Sequence, residues 1–272
     1  MNLAPRIAFA YRISKNWTSS LAYGRFYQNP ENQYFGTHDL NFQKAEHYVL
    51  QVQKADEGRS FRAEAFYKNY EDLIKTKLEN YRPVAISNNG DGFAKGIELF
   101  WRDKKSIKNI DYWVSYSFLD SKRNFQNYDQ SLFPNFAAKH TLSLVVKKFV
   151  TDWKTGFNLS YSYASGRPYY NFLTDDNGNY YLNSKGKVKD FNALNFSLNY
   201  LPNLGKNDSK SFPVLVLSVN NILNQKNIYG YNFSRDGLRS QPILPSANTF
   251  IFVGAFISFG IDRTQDAIDN NL

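Results

Sequence analysis

The sequence of 272 residues contains no cysteine and only three histidines. The lack of cysteine excludes a disulfide framework and a thiolate metal site. No apolar run approaches the roughly 18 residues that a membrane-spanning helix requires, so a helical membrane protein is also excluded. Aromatic residues, by contrast, make up 17% of the chain. This excess suits β-strands and the aromatic girdles of a membrane barrel, and it equally suits a soluble β-sandwich or a sugar-binding surface.

The net charge of +9 is basic, but lysine and arginine are spread through turns and alternate strand positions. The sequence has no dense basic run and no recognition-helix pattern, so we expect no nucleic-acid partner. Basic loops that face anionic lipopolysaccharide are the simpler hypothesis for this charge.

Segments of about ten residues alternate apolar and polar side chains, which is typical of a strand that crosses an outer membrane at a tilt. In 153–163, for example, Trp153, Phe157 and Leu159 fall on one face, while Asn158 falls on the other. The same pattern predicts eleven strands, at 5–13, 17–27, 43–55, 60–70, 93–102, 110–120, 138–149, 153–164, 192–201, 213–222 and 249–261. A soluble sandwich would show the same alternation with its apolar face turned inward, so the period leaves both folds open.

The connections between these strands decide between the two folds, because they alternate in length. The odd-numbered connections are compact, and the even-numbered ones are long, at 28–42, 71–92, 121–137, 165–191 and 223–248. A Greek-key sandwich has no reason to keep this order, whereas a transmembrane barrel has short periplasmic turns and long external loops. The sequence therefore predicts an all-β, antiparallel, up-and-down transmembrane β-barrel. Eleven strands cannot close antiparallel, so the chain is expected to be half of a larger barrel.

A series of short motifs along the chain has the order and spacing of one known family. The main motifs are 21–30 (LAYGRFYQNP), 44–48 (KAEHY), 61–74 (FRAEAFYKNYEDLI), 88–100 (NNGDGFAKGIELF), 165–169 (SGRPY) and 219–230 (VNNILNQKNIYG). Together they resemble the C-terminal half of a TonB-dependent outer-membrane receptor of the type common in Bacteroidetes, whose barrel has about 22 strands.

The resemblance implies a non-enzymatic importer in the outer membrane of a Gram-negative bacterium. External loops capture the ligand, energised TonB moves a plug domain, and the ligand passes through the barrel. The plug, the TonB-box segment and the first half of the barrel are not in this sequence. Residues 1–261 are therefore expected to be a partial barrel and 262–272 a polar C-terminal tail, and this part alone is not expected to transport anything. Residues 1–13 read as a strand rather than a signal peptide, so an export signal is expected upstream.

Tyrosines in or beside the long loops are the candidate ligand-binding residues. Aromatic faces with amide and guanidinium donors nearby suit the capture of a siderophore, a glycan or a peptide. The alternative interpretation is that these rings pack the loops together or lie in the upper girdle. The candidates are Tyr81, Tyr128, Tyr169, Tyr170, Tyr180, Tyr181, Tyr229 and Tyr231.

Catalytic and metal chemistry has less support. His38 lies beside Asp39 without a second ligand cluster, and His47 and His140 are expected in the girdle. The loop 173–183 lacks the acidic spacing of a calcium-binding loop, and its Asn-Gly turn needs no ion. We therefore expect no catalytic residue, no metal and no cofactor, although the loop leaves calcium open.

Other functions remain compatible with parts of the pattern. A passive porin or adhesin would use the same barrel without TonB. Sparse histidine and the lack of a matched acid–histidine constellation count against a barrel enzyme. A soluble carbohydrate-binding β protein would bury the apolar face. Four charged residues should face the lumen, either to contact a plug or to pair across strands; they are Arg62, Glu64, Glu98 and Arg102.

Overall fold

The computed structural model describes residues 3–34, 40–206 and 211–260. In chain order the strands are β1 (Arg6–Arg12), β2 (Trp17–Gln28), β3 (Gln43–Asp56), β4 (Arg59–Glu79), β5 (Arg82–Asp103), β6 (Ile110–Asn124), β7 (His140–Val150), β8 (Thr155–Ala164), β9 (Pro168–Thr174), β10 (Tyr180–Lys187), β11 (Phe191–Tyr200), β12 (Ser211–Asn220), β13 (Gly230–Phe233), β14 (Ser240–Ile243) and β15 (Phe250–Phe259). A short 3₁₀ helix spans Asn32–Tyr34. No helix of the described residues has the length and apolar character to span a bilayer.

Eleven of the described strands form one antiparallel sheet, in the order β1-β2-β3-β4-β5-β6-β7-β8-β11-β12-β15. These are the eleven strands that the alternation predicts, and the predicted fold class is confirmed. Residue 261 and the predicted polar tail at 262–272 lie outside the described residues.

One face of the sheet is apolar and exposed. Leu21 lies opposite Leu50 in the register, and Ala65 links Leu50 to Ile97. Leu21, Leu50 and Ile97 are all exposed. A soluble sandwich buries such a face, whereas a membrane barrel turns it to lipid. We call it the lipid face.

The opposite face is polar, and we call it the lumenal face. Gln51, Glu64 and Glu98 lie side by side on it. Arg102 shares this face and donates two hydrogen bonds to Asp111, of 2.9 and 2.7 Å. The strand register also places Arg62 there, opposite Gln53. The lumenal position predicted for the four charged residues is thus confirmed.

The two edges of the sheet are open in the described part of the chain. β1 pairs only with β2, and β15 pairs only with β12. Because every neighbouring pair is antiparallel and the number of strands is odd, β1 and β15 run in the same direction. An antiparallel closure between them is therefore impossible.

The long connections lie together at one end of the sheet, which we call the loop end, and they contain more structure than predicted. The long connection predicted at 71–92 is a hairpin, because β4 and β5 continue through it beyond their predicted bounds. Asn80 and Tyr81 form its two-residue turn with φ values of 47° and 65°, as a type I′ turn requires. Two further connections contain the hairpins β9–β10 and β13–β14.

Candidate functional site

At the loop end, three of the long connections are in direct contact with one another. The amide of Leu78, at the tip of the β4–β5 hairpin, donates a 2.8 Å hydrogen bond to the carbonyl oxygen of Gly178. The guanidinium of Arg235, between β13 and β14, lies 3.9 Å from the centroid of the Tyr81 ring. We call residues 72–90, 125–139, 165–190 and 221–249 the loop cluster.

Gly178, through its backbone, and Asn171, through its buried side chain, allow close contacts in the loop cluster. Gly178 has a φ of 80°, and a Cβ atom there would overlap the carbonyl oxygen of Leu78. Asn171 is fully buried and donates a 3.0 Å hydrogen bond from Nδ2 to the carbonyl oxygen of Gly237. The loop cluster is therefore fitted together by close backbone contacts as well as by side chains.

Tyr128 is the centre of an aromatic group in the loop cluster. It is only 4% exposed, and its ring centroid lies 5.1 Å from that of Phe125 and 5.5 Å from those of Tyr170 and Phe172. The hydroxyl of Tyr170 donates a 2.8 Å hydrogen bond to the carbonyl oxygen of Phe133. Burial raises the pKa of Tyr128, and burial followed by the charge of Tyr128 raises the pKa of Tyr170 to about 12. Both rings pack loops together.

The remaining predicted tyrosines divide into packed and exposed rings. Tyr169 packs against Tyr231 with the ring centroids 4.8 Å apart, and Tyr180 is partly buried. The exposed rings are Tyr81, Tyr181 and Tyr229.

A cavity of about 640 Å³ lies at the loop end of the lumenal face. We call it the vestibule. The strand register places Phe26, Tyr70 and Arg123 in one row across the lumenal face. Tyr34 and Ile74 contribute from the connections, and both are buried.

The vestibule residues were not among the predicted candidates. Tyr70 is the last residue of the predicted strand 60–70, and Arg123 lies three residues beyond the predicted strand 110–120. The alternation of lumenal and lipid-facing positions along each strand could have identified them. Arg123 continues the alternate positions of Ser115 and Ser117, whose partners Phe100 and Glu98 lie on the lumenal face.

The histidines lie in different environments. His47 is on the lumenal face, with its ring centroid 4.5 Å from that of Phe26, so its expected girdle position was wrong. His140 lies beside Phe118 on the lipid face at the loop end. His38 and Asp39 lie outside the described residues. Among the residues that the structure describes, no group of three or more histidine or acidic side chains is arranged to hold a metal ion.

In the loop 173–183, the carboxylate of Asp175 is hydrogen-bonded by other residues of the same loop. The Oδ1 atom of Asp175 accepts hydrogen bonds from the amides of Asn177 (3.0 Å) and Asn179 (2.8 Å), and Oδ2 accepts one from the side chain of Asn179 (3.0 Å). The side-chain bond from Asn179, followed by its amide bond, holds the pKa of Asp175 below its ordinary value. The turn is thus closed by protein donors.

Comparison with known proteins gives a consistent result. The family described as "TonB dependent receptor-like, beta-barrel" matches residues 1–222. The chain is similar to the unliganded ferric citrate transporter FecA, with a TM-score of 0.69, 15% identity, and coverage of 94% of this chain and 38% of that one. It is similar to the FrpB iron transporter from Neisseria meningitidis, with a TM-score of 0.69, 16% identity, and coverage of 94% and 39%.

A third similar structure is the ferripyoverdine receptor of Pseudomonas aeruginosa, with a TM-score of 0.68, 10% identity, and coverage of 94% and 33%. Among curated proteins, nothing matches the chain. The chain spans between 33% and 39% of the length of these three structures. The family and the structures are receptors and transporters, not enzymes.

Proposed function

Because the chain belongs to the TonB-dependent receptor-like β-barrel family, we propose that it is the C-terminal portion of an outer-membrane receptor that captures a ligand for energised import. Members of this family are outer-membrane proteins of Gram-negative bacteria. The Bacteroidetes type remains a prediction from the motifs.

The open edges support a portion of a larger barrel. Unpaired backbone groups at a sheet edge are not tolerated within a bilayer, so β1 and β15 each need a further strand. An odd number of added strands would make the total even and allow antiparallel closure. The last described strand, β15, would then pair with the first strand of the N-terminal portion.

The main support for ligand capture is the vestibule. A cavity of about 640 Å³ lies at the loop end of the lumenal face, where a ligand from outside would arrive. The volume is in the range of small-molecule sites. The exposed rings of Tyr81, Tyr181 and Tyr229 belong to the loop cluster at the same end.

The ligand is a small molecule, and a siderophore, a glycan and a peptide are all within the proposal. The names of the similar structures favour an iron-siderophore complex, since they include ferric citrate and ferripyoverdine proteins. The further partners are outer-membrane lipid on the lipid face, and a plug domain and TonB that act through the N-terminal portion.

Uptake by cells that produce the full receptor tests this proposal. Ferric siderophores, oligosaccharides and peptides are supplied in turn, with and without TonB. Replacing Tyr81 by Ala should raise the half-saturating ligand concentration about five-fold, because one aromatic contact is worth about 1 kcal/mol. Tyr11→Ala is the matched control, since both rings are 72% exposed and Tyr11 lies on the lipid face.

Three outcomes distinguish the alternatives. Saturable, TonB-dependent uptake that weakens in Tyr81→Ala but not in Tyr11→Ala supports an energised receptor. Uptake that persists without TonB would contradict the energised receptor and favour a passive porin. Adhesion without uptake of any supplied ligand would favour the adhesin.

A further inference from the structure

Arg123 is held in an unusual position by the row of residues on the lumenal face. In that row, Tyr70 and Arg123 lie on either side of Gly92. The guanidinium carbon of Arg123 is 4.3 Å from the centroid of the Tyr70 ring. A Cβ atom on Gly92 would be 2.9 Å from Cγ of Arg123. The missing side chain of Gly92 therefore leaves the space through which Arg123 reaches Tyr70.

The charge of Arg123 has no acidic partner among the described residues. None of the salt bridges that the structure shows includes it, and its Nε atom is buried without a hydrogen-bond acceptor. Contact with an aromatic face stabilises a cation, but it uses the flat face of the guanidinium and leaves the in-plane N–H donors free. A buried donor that has no acceptor is costly to the free protein.

The other charges of the vestibule do not supply that acceptor. Lys44 also lines the cavity, and its ammonium is already paired with Glu71 at 3.4 Å and Asp72 at 3.1 Å. Glu31 lines the cavity too, and its carboxylate accepts a 2.6 Å hydrogen bond from Gln33. Arg123 is thus a vestibule cation that no salt bridge of the described residues neutralises.

We propose that Arg123 binds an oxyanion, a carboxylate or a phosphate group, on the molecule that enters the vestibule. The inference rests on the proposed function and names the chemistry that its ligand must carry. A guanidinium stacked on Tyr70 presents its N–H groups as a fixed fork that matches the two oxygens of such a group. A neutral glycan would leave the charge of Arg123 without a counter-charge, so the vestibule favours acidic ligands.

Equilibrium binding to the purified full receptor in detergent tests this inference. Citrate, inorganic phosphate and neutral maltotriose are the three probes, and calorimetry gives their affinities. The wild-type protein should bind at least one of the two anions and not the neutral sugar. Arg123→Gln should weaken anion binding about 10-fold or more, since a charged hydrogen-bonded pair is lost. Arg123→Lys should retain only part of the affinity, because a lysine has no planar fork.

Two further variants separate recognition from folding. Lys122→Gln removes the neighbouring charge on the lipid face, where Lys122 lies opposite Phe93, and should change the affinity less than two-fold. Gly92→Ala keeps every charge, but its Cβ would lie 2.6 Å from the carbonyl oxygen of Lys122 and 2.9 Å from Cγ of Arg123. By shifting Arg123 it should weaken anion binding about as much as Arg123→Gln. Heat-modified migration on gels reports whether each variant has folded.

The result can overturn this inference without affecting the proposed function. Equal anion binding by wild type and Arg123→Gln, or no binding of either anion by wild type, would overturn it. Because binding is measured without TonB, anion binding by a receptor that imports nothing would refute the transport proposal and leave the site intact.

Discussion

Large apolar side chains point outward from the sheet but are buried in the loop cluster. On β15, Val253 is 76% exposed, whereas Tyr128 in the loop cluster is 4% exposed. Leu73 and Ile74 at the base of the β4–β5 hairpin are buried like Tyr128. The sheet therefore has its apolar surface on the outside, and the loop cluster has a core of its own.

The difference shows which solvent stabilises each region. The sheet gains from ladder hydrogen bonds and from contact with hydrocarbon, so its free energy of unfolding depends on the bilayer. The loop cluster lies beyond the bilayer and is stabilised by aromatic packing and close backbone contacts, as in a small soluble domain. A substitution should thus act on one region and spare the other.

The largest effect is expected from a charge on the lipid face. Leu50→Arg, near the middle of β3, should lower the free energy of unfolding by about 2–4 kcal/mol, the cost of a cation near the bilayer midplane. Gln51→Arg is the matched control on the lumenal face, one residue along the strand, and should change stability little. Urea titration of the assembled barrel in phospholipid vesicles measures both. Equal losses for the two variants would mean that the two faces have been assigned wrongly.

The same comparison explains how much of the fold could be predicted. The sheet was predictable because a strand with lipid on one side and polar groups on the other must alternate along its whole length. Leu50 and Gln51 show the rule at adjacent positions, and the predicted strand bounds follow the observed ones closely except in β4 and β5. The direction of each strand was also predictable, because short turns are periplasmic and long loops are external.

The loop cluster was less predictable, because its contacts join residues that are distant in sequence. Nothing local to Tyr128 indicates that Phe172 will cover it, and nothing near Leu78 indicates Gly178. The candidate tyrosines consequently included both buried and exposed rings, while Arg123 was missed. The turn at Asn80 carried a local signal, since asparagine tolerates a positive φ, but the tyrosine that follows it did not.

A smaller loss of stability is expected when the contact between Gly178 and Leu78 in the loop cluster is broken. Gly178→Ala should cost about 1–2 kcal/mol for a non-glycine residue with positive φ, and in addition it should break the contact with Leu78. Gly205→Ala is the control, because Gly205 has a similar φ of 75° and no atom within 4 Å of the added Cβ. Hydrogen exchange should become faster at the amide of Leu78 only in the first variant, with the amides of β1–β3 unchanged. Faster exchange at Leu78 in Gly205→Ala would refute the contact as its cause.

The smallest effect separates two tyrosines within the loop cluster. Burial raises the pKa of Tyr170 to about 12, whereas a hydrogen bond with Arg235 lowers the pKa of Tyr81 below its ordinary value of 10.0. An unfolded chain ionises Tyr170 near pH 10, so the stability that Tyr170 contributes is complete below pH 10 and is lost as the pH rises towards about 12. Tyr81 acts in the opposite sense, because its contribution appears as the pH rises through its lowered pKa.

Tyrosinate absorbance measures both groups as differences between wild type and the Tyr170→Phe or Tyr81→Phe variant. The Tyr170 difference should have its midpoint near pH 12, and the Tyr81 difference should have a midpoint below pH 10. Coincident midpoints would show that the two rings share one environment, and the contrast between a buried centre and an exposed tip of the loop cluster would fail. Separate midpoints would show that the loop cluster has a buried centre at Tyr170 and an exposed tip at Tyr81.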